Sequence, residues 1–175
     1  PGLWEALATR NATTYTPGKR DDLYRRSLYT IWKRTSPPPS AVSFDAAERL
    51  FCTVDRQRTS TPLQALVLLN DPQYVEAARK VAERMLVDGG TAVRDRITYG
   101  FRLVTSRAPL AAELAPLERL YAEQQAAFTA DAAAARRLLA VGQSPRAATL
   151  PLTDLAASTV IANTLLNLDA AVMKR

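Results

Sequence analysis

The sequence predicts an all-α protein: a bundle of four to six helices with an irregular, proline-containing N-terminal third. Three observations lead there. No stretch sustains the apolar–polar alternation of a half-buried strand, whereas apolar residues recur at helical spacing from Leu63 onward. Helix starts are written as Thr61-Pro62 and Asp71-Pro72, a capping side chain followed by the residue best suited to the first helical position. The later linkers are short, which favours antiparallel neighbours, and no repeat of fixed period is present. The expected division is 1–60, an arginine- and aromatic-rich segment with one helix packed on the bundle, and 61–175, the bundle itself.

Residues 1–22 hold few periodic apolar positions; Trp4 offers an anchor, and Pro17-Gly18 signals a turn. Asp22 is placed to cap a helix over 23–34, with Tyr24, Leu28, Ile31 and Trp32 on one side and Arg25, Arg26, Lys33 and Arg34 mostly on the other. Pro37, Pro38 and Pro39 stop it and favour an extended polyproline II segment. Ser43 or Asp45 is a candidate cap for a short turn through Arg49 and Leu50, and 51–54 a candidate extended piece. In the helix that Thr61-Pro62 opens, Leu63, Leu66, Val67, Leu68 and Leu69 leave little polar surface. A helix apolar all round is expected at the centre of the core.

The helix after Asp71-Pro72 carries Tyr74, Val75, Ala78, Val81, Ala82, Met85 and Leu86 on one stripe. Two pairs, Glu76–Lys80 and Arg79–Glu83, are expected on its exposed face, and Gly89-Gly90 ends it. Thr91 is the expected cap of a third helix that buries Val93, Ile97, Gly100, Phe101 and Val104. After a break at 106–109, Leu110, Leu114, Leu117, Tyr121 and Phe128 recur at helical intervals around Pro116. An interior proline costs about 3 kcal/mol, so a kink or a restart is expected there. Asp131 caps a short alanine-rich helix closed by Gly142, and 143–152 is loop. Thr153 is expected to cap a final helix to about residue 169, with Leu155, Ile161, Leu165, Leu166 and Leu168 supplying apolar surface.

Composition narrows the chemistry. Hydrophobic residues make up 47% of the 175 and charged residues 23%, a globular balance. A chain of this size buries roughly 70% of its unfolded surface, enough for a core without disulfides. Histidine is absent, which excludes Ser-His-Asp and Cys-His catalysis and histidine-ligated haem within the chain. Cys52 stands alone, so there is no internal disulfide and no paired-thiol clamp; a small buried hydrophobe is its expected role. Carboxylates, lysine, tyrosine or groups from another polypeptide are the catalytic options left. The net charge of +6 suits either anionic partners or a solvated arginine-rich surface. No helix-turn-helix, zinc or RNA-recognition motif accompanies it, so nucleic acid is not an expected partner. No run of eighteen apolar residues exists, so no transmembrane segment is expected. No signal peptide is visible, and a chain starting at Pro1 reads as a piece of something longer.

The candidate binding set, for an anion or a partner, is Arg25, Arg26, Lys33, Arg34, Arg56 and Arg58 with Trp32. Arg49 adds a cation, and Tyr24, Tyr29 and Phe44 add rings. Guanidinium forks pair with carboxylate, sulfate or phosphate, and aromatic faces stack on sugars or other rings. The competing reading is that these arginines tie an irregular loop onto the bundle through carbonyls no helix satisfies. No catalytic set and no metal set is assigned. Asn70-Asp71 and Glu113 near Arg107 read as helix-end residues. Asn163, Asn167 and Asp169 read as hydrogen-bonding groups toward a neighbouring loop, since their spacing does not gather three oxygens on one face.

The blocks Arg26-Ser27-Leu28-Tyr29-Thr30, Trp32-Lys33-Arg34, Pro37-Pro38-Pro39, Phe44-Asp45, Cys52-Thr53-Val54, Arg58-Thr59 and the run from Thr61 to Pro72 occur in order. Together they resemble the C-terminal part of the planctomycete PSD-type domain, domain of unknown function 1553. The opening PGLWEAL, Arg107 and Pro109 with Glu113-Leu114, and Asn163 with Leu166-Asn167-Leu168-Asp169 fit the same resemblance. The chain departs from it at Asp55, where a basic residue is expected, and at Ala170-Ala171, where an acid and an aromatic are expected. The resemblance implies a large exported multidomain bacterial protein, periplasmic or in the cell envelope, with c-type haem in another domain of many members and no settled activity. The resulting expectation is a non-catalytic helical module that docks other domains of the same polypeptide and holds no cofactor itself. The alternative is a unit that binds or processes anionic, including sulfated, polysaccharide.

Overall fold

Helices in this chain start where a residue that fits the first turn follows an extended one. The computed structural model describes residues 18–30, 32, 37–47, 49, 51–52, 54–55 and 57–173. They fall into two units, 1–59 and 60–175. Among the described residues every regular element is helical.

In the first unit, two 3-10 turns, Arg20–Tyr24 and Ser27–Tyr29, replace the helix expected over 23–34. Arg25 and Arg26 between them are extended, with ψ of 150° and 144°. The stripe that helix was to bury is open: Leu28 is 75% exposed and Tyr29 70%. A single helix of about a dozen residues is marginal in water unless tertiary packing takes its apolar face. The proline run also departs from expectation. Pro38 is extended, but Pro39 begins a helix, α1 (Pro39–Ser43), because its fixed φ suits the first helical position. Ser43 lies at the end of α1 and donates its hydroxyl to the Pro39 carbonyl at 2.9 Å. Asp45 caps no helix: it takes a left-handed φ of 57° and accepts hydrogen bonds from Thr59. Bends at 51, 54 and 55 stand where an extended piece was expected. Trp4 and Pro17 lie outside the described residues.

The second unit runs α2 (Pro62–Asn70), α3 (Pro72–Asp88), α4 (Val93–Thr105), α5 (Ala111–Ala130), α6 (Ala132–Leu139), α7 (Leu152–Leu166) and α8 (Asp169–Val172). Thr61 and Gln64 form a reciprocal capping box: the Thr61 hydroxyl accepts from the Gln64 N–H at 3.3 Å, and the Gln64 side chain accepts from the Thr61 N–H at 3.1 Å. Asp71 ends α2 and caps α3, accepting from the Gln73 N–H at 2.8 Å. Gly90 leaves α3 with a φ of +88°, the left-handed geometry glycine tolerates. Thr91 is not the cap of α4. Extended Ala92 takes that place without a side-chain bond, and Asp95 puts a carboxylate in the first turn instead. α4 buries Ile97, Gly100 and Phe101, and Gly100 allows close approach to α3, since a Cβ there would lie 2.6 Å from the Met85 sulfur.

α5 runs through Pro116 without a restart. Pro116 and Ala112 are both exposed, so water can take the carbonyl that the proline leaves unbonded. Asp131 caps α6, accepting from the Ala134 N–H at 2.9 Å, and Gly142 turns left-handed beyond it. Extended Pro151, not Thr153, precedes the last long helix, which ends at Leu166; residues 169–172 form the separate α8.

The core centres on α7. It packs against α3, α5, α6, α4, α2 and α8, and Leu155, Ala156, Ala157, Ser158, Thr159, Ile161, Ala162 and Leu165 are all buried. α2, expected at that centre, is not there: only Gln64 and Leu68 are buried, while Leu63, Leu66 and Leu69 are 56%, 57% and 45% exposed. Two asparagines reach it instead, Asn163 on α7 donating to the Leu69 carbonyl at 3.4 Å and Asn167, just past the end of α7, to the Ala65 carbonyl at 3.5 Å.

A second correction concerns α3. Glu76 and Arg79 are buried, not on an exposed face. Glu76 accepts from the N–H groups of Gln143 (2.5 Å) and Ser144 (3.1 Å). Arg79 donates to the carbonyls of Leu139 (3.0 Å) and Ser144 (2.5 Å). Lys80 donates to the Pro145 carbonyl and to Glu83, and Glu83 accepts from the Ala147 N–H. The stripe at i, i+3, i+4 and i+7 thus fastens the α6–α7 loop, satisfying backbone groups that lie outside any helix.

Candidate functional site

Of the sequence-derived set, Lys33, Arg34 and Arg56 lie outside the described residues. The Arg25 Nε donates to the Asp22 carboxylate at 3.3 Å, so the acid expected to cap a helix holds an exposed arginine instead. Arg26 and Arg58 are exposed. Trp32 is half-buried, and the Arg49 guanidinium lies 4.9 Å from its ring centroid, a cation–π stack. The Trp32 indole N–H is buried with no acceptor among the described residues. Trp32 and Arg49 are the one ring and cation the structure brings together here among the described residues.

Arg49 has a left-handed φ of 61°, as does Asp45 at 57°. The Asp45 carboxylate accepts from the Thr59 N–H at 2.7 Å and from its hydroxyl at 2.9 Å. This clasp brings the two ends of the stretch 45–59 together. Within it, Phe51 is 70% exposed and Val54 fully so. Cys52 is exposed rather than buried, which overturns its expected role as a core hydrophobe.

Arg107 donates to both Glu113 oxygens, at 2.8 and 2.6 Å, and Glu113 also accepts from the Leu110 N–H at 2.7 Å, closing the start of α5. Bonding to Arg107 first, then to the Leu110 N–H, holds the Glu113 carboxyl at a pKa of about 2. The Arg107 guanidinium also lies 4.8 Å from the Phe101 ring centroid. Tyr121 is pushed up by burial and by nearby Asp154, while Arg96 and Ser158 act the other way. Asp154 accepts from the Gln125 amide at 2.7 Å. Among the described residues no three acids or cysteines gather as a metal site.

Sequence reasoning missed two apolar surfaces among the described residues. Leu63, Leu66 and Leu69 repeat every three residues along one side of α2, and Phe51 and Val54 are exposed within the clasped stretch. The α2 stripe had a readable signal: the helix is filled with large leucines and has one alanine through which a neighbour could close in.

Among the described residues no helix is long and apolar enough to cross a membrane. No curated protein and no solved structure matches the chain. The family PSD1, described as a protein of unknown function (DUF1553), matches residues 5–121, from the N-terminal unit through α2, α3 and α4 into α5, and stops short of the Asn163–Asp169 blocks. That match spans more than half of the sequence, and the chain belongs to the PSD1 family.

Proposed function

We propose that this chain is a non-catalytic helical docking module of a larger exported bacterial protein, one whose other domains are its partners and include, in some members, a c-type haem domain. The observation that carries this reading is the leucine stripe of α2. Leu63, Leu66 and Leu69 form an uncharged apolar row on a helix whose start is locked by the Thr61–Gln64 box and whose carbonyls are held by Asn163 and Asn167. A rigid apolar row of this kind matches helix-on-helix recognition, in which anchors recur every three or four residues. The sequence has no histidine, so the commonest general base and metal ligand is not among its residues.

The test compares the chain alone with the full-length protein. With Cys52 replaced by serine, Leu66→Cys supplies one thiol on the row. It reacts rapidly with a maleimide in the isolated chain, and the reading expects at least about tenfold slower labelling in the full-length protein. Equal rates in both would remove the docking role.

A second reading, binding or processing of anionic and sulfated polysaccharide, is supported by the exposed Arg25 and Arg26 and by the Trp32–Arg49 stack. The stack also weighs against it, because a guanidinium already occupies one face of the ring a sugar would use. Calorimetry with a sulfated and a neutral polysaccharide at low salt decides it: no heat with either ends this reading.

A further inference from the structure

Two of the apolar surfaces that stand open among the described residues differ in their surroundings. The α2 row has no charged residue anywhere on its helix. The clasped stretch is the reverse: exposed Phe51 and Val54 share it with exposed Arg49 and Arg58, and with Arg56 in the sequence. Its acids outside the clasp are Glu48 and Asp55. Residues 1–59 carry 10 of the 23 cations against 6 of the 17 acids, so most of the chain's positive excess resides there.

We propose that the loop closed by Asp45 and Thr59 is a membrane-surface anchor, with Phe51 and Val54 entering the headgroup region of an anionic bilayer and Arg49 pairing with lipid phosphate. The occupant follows from this pairing of properties. A ring and a branched aliphatic at a protruding tip suit the apolar edge of a bilayer, where an aromatic side chain settles at headgroup depth. The Arg49 guanidinium lies over the Trp32 ring and, being exposed, can still turn its N–H fork to a phosphate. The Asp45–Thr59 clasp holds the ends of the stretch together, which shortens the chain that binding has to order. Attachment of this sort needs no spanning helix and takes two signals, insertion and charge, each weak alone. Asp55 lies beside the tip and works against the charge term, which makes the apolar pair the larger contributor.

Cys52 supplies the probe, since the sequence contains no other thiol. An environment-sensitive dye on Cys52 is mixed with vesicles of phosphatidylcholine alone, or with about a third phosphatidylglycerol, at low and at physiological salt. The expected result is a blue shift with the anionic vesicles, weakened by salt and absent with phosphatidylcholine. Sedimentation of unlabelled chain with the same vesicles then gives affinities. Phe51→Ser with Val54→Ser is expected to lower binding by at least about tenfold. Arg49→Glu should lower it by more than about fivefold, one cation's contribution at an anionic surface. Both sites are exposed, and an unchanged helical circular dichroism spectrum confirms that the fold is intact. Inorganic phosphate and a sulfated polysaccharide serve as competitors. If either displaces the chain fully while Phe51→Ser, Val54→Ser binds as well as the parent, the loop is only an anion site and the anchor is overturned. No shift with any vesicle, or equal binding to both compositions, overturns it as well. The α2 labelling comparison is independent of this result, so the two proposals fail separately.

Discussion

α2 and α7 are both nearly free of charge, and only one of them is the centre of the molecule. α7 buries eight of its side chains, α2 two. The difference lies in size. α7 carries Ala156, Ala157, Ser158 and Ala162 among its buried residues, small side chains that let α3, α4, α5 and α6 all pack against it. α2 presents large leucines in nearly every direction, and a nine-residue helix ringed by them has one broad face that fits α3 and α7. An apolar circumference therefore shows that a helix has partners available to it. Small residues at the crossings show that the partners lie within its own bundle.

The strongest way to break this comparison is to truncate equivalent leucines. Leu155→Ala in α7 is expected to cost about 2–5 kcal/mol, because it leaves a cavity among packed neighbours. Leu66→Ala in α2 should change stability by no more than about 0.5 kcal/mol. Urea unfolding of the two variants measures both, and equal losses would show that α2 is buried in solution.

Enlarging a small residue sharpens the same point from the other side. Ala157→Leu should destabilise by about 1–3 kcal/mol, since α7 has no space for the added carbons. A neutral result would mean that the small residues are incidental and that α7 is central for another reason.

α2 depends on its ends more than on its faces. Thr61→Ala removes the hydroxyl half of the capping box and should cost about 1 kcal/mol, more than the loss of an exposed leucine from the same helix. Hydrogen exchange at the Gln64 amide reports it locally, and unchanged protection there would deny the cap its role.

Much of this architecture was legible in the residues. Thr61-Pro62, Asp71-Pro72 and Asp131 start helices because capping chemistry is local, and the helical periodicity of α3 to α5 reports their buried sides directly. Burial of polar groups was not legible. Glu76 and Arg79 looked like solvent-facing partners because charge spacing alone cannot reveal a loop sixty residues away whose N–H and C=O groups need them. The first unit failed for the opposite reason. Tyr24 and Leu28 have helical spacing, but spacing makes a helix only where a surface receives the stripe, and both are exposed. Sequence reasoning gives the candidate site as cations with Trp32 and neighbouring rings, and among the described residues the structure adds the Trp32–Arg49 stack, the Asp45–Thr59 clasp and the exposure of Phe51 and Val54.

The smallest expected effect concerns a helix start held by charge rather than by a hydroxyl. Glu113 closes the first turn of α5 with Arg107 and the Leu110 N–H, and its pKa is lowered from 4.5 to about 2. The carboxylate is therefore favoured in the folded chain relative to the unfolded one. Its contribution is fully present above pH 4.5 and is lost as pH falls through about 2. Glu113→Gln should be slightly less stable than the parent at neutral pH, and the gap should close on acidification over that window. Solvent screens a pair this exposed, so the gap should also shrink with added salt, whereas the Leu155→Ala loss should not. A Glu113 titration midpoint near 4.5 by carbon NMR would show instead that the exposed bidentate contact is not maintained in solution, and that α5, like α4, starts without a side-chain cap bond.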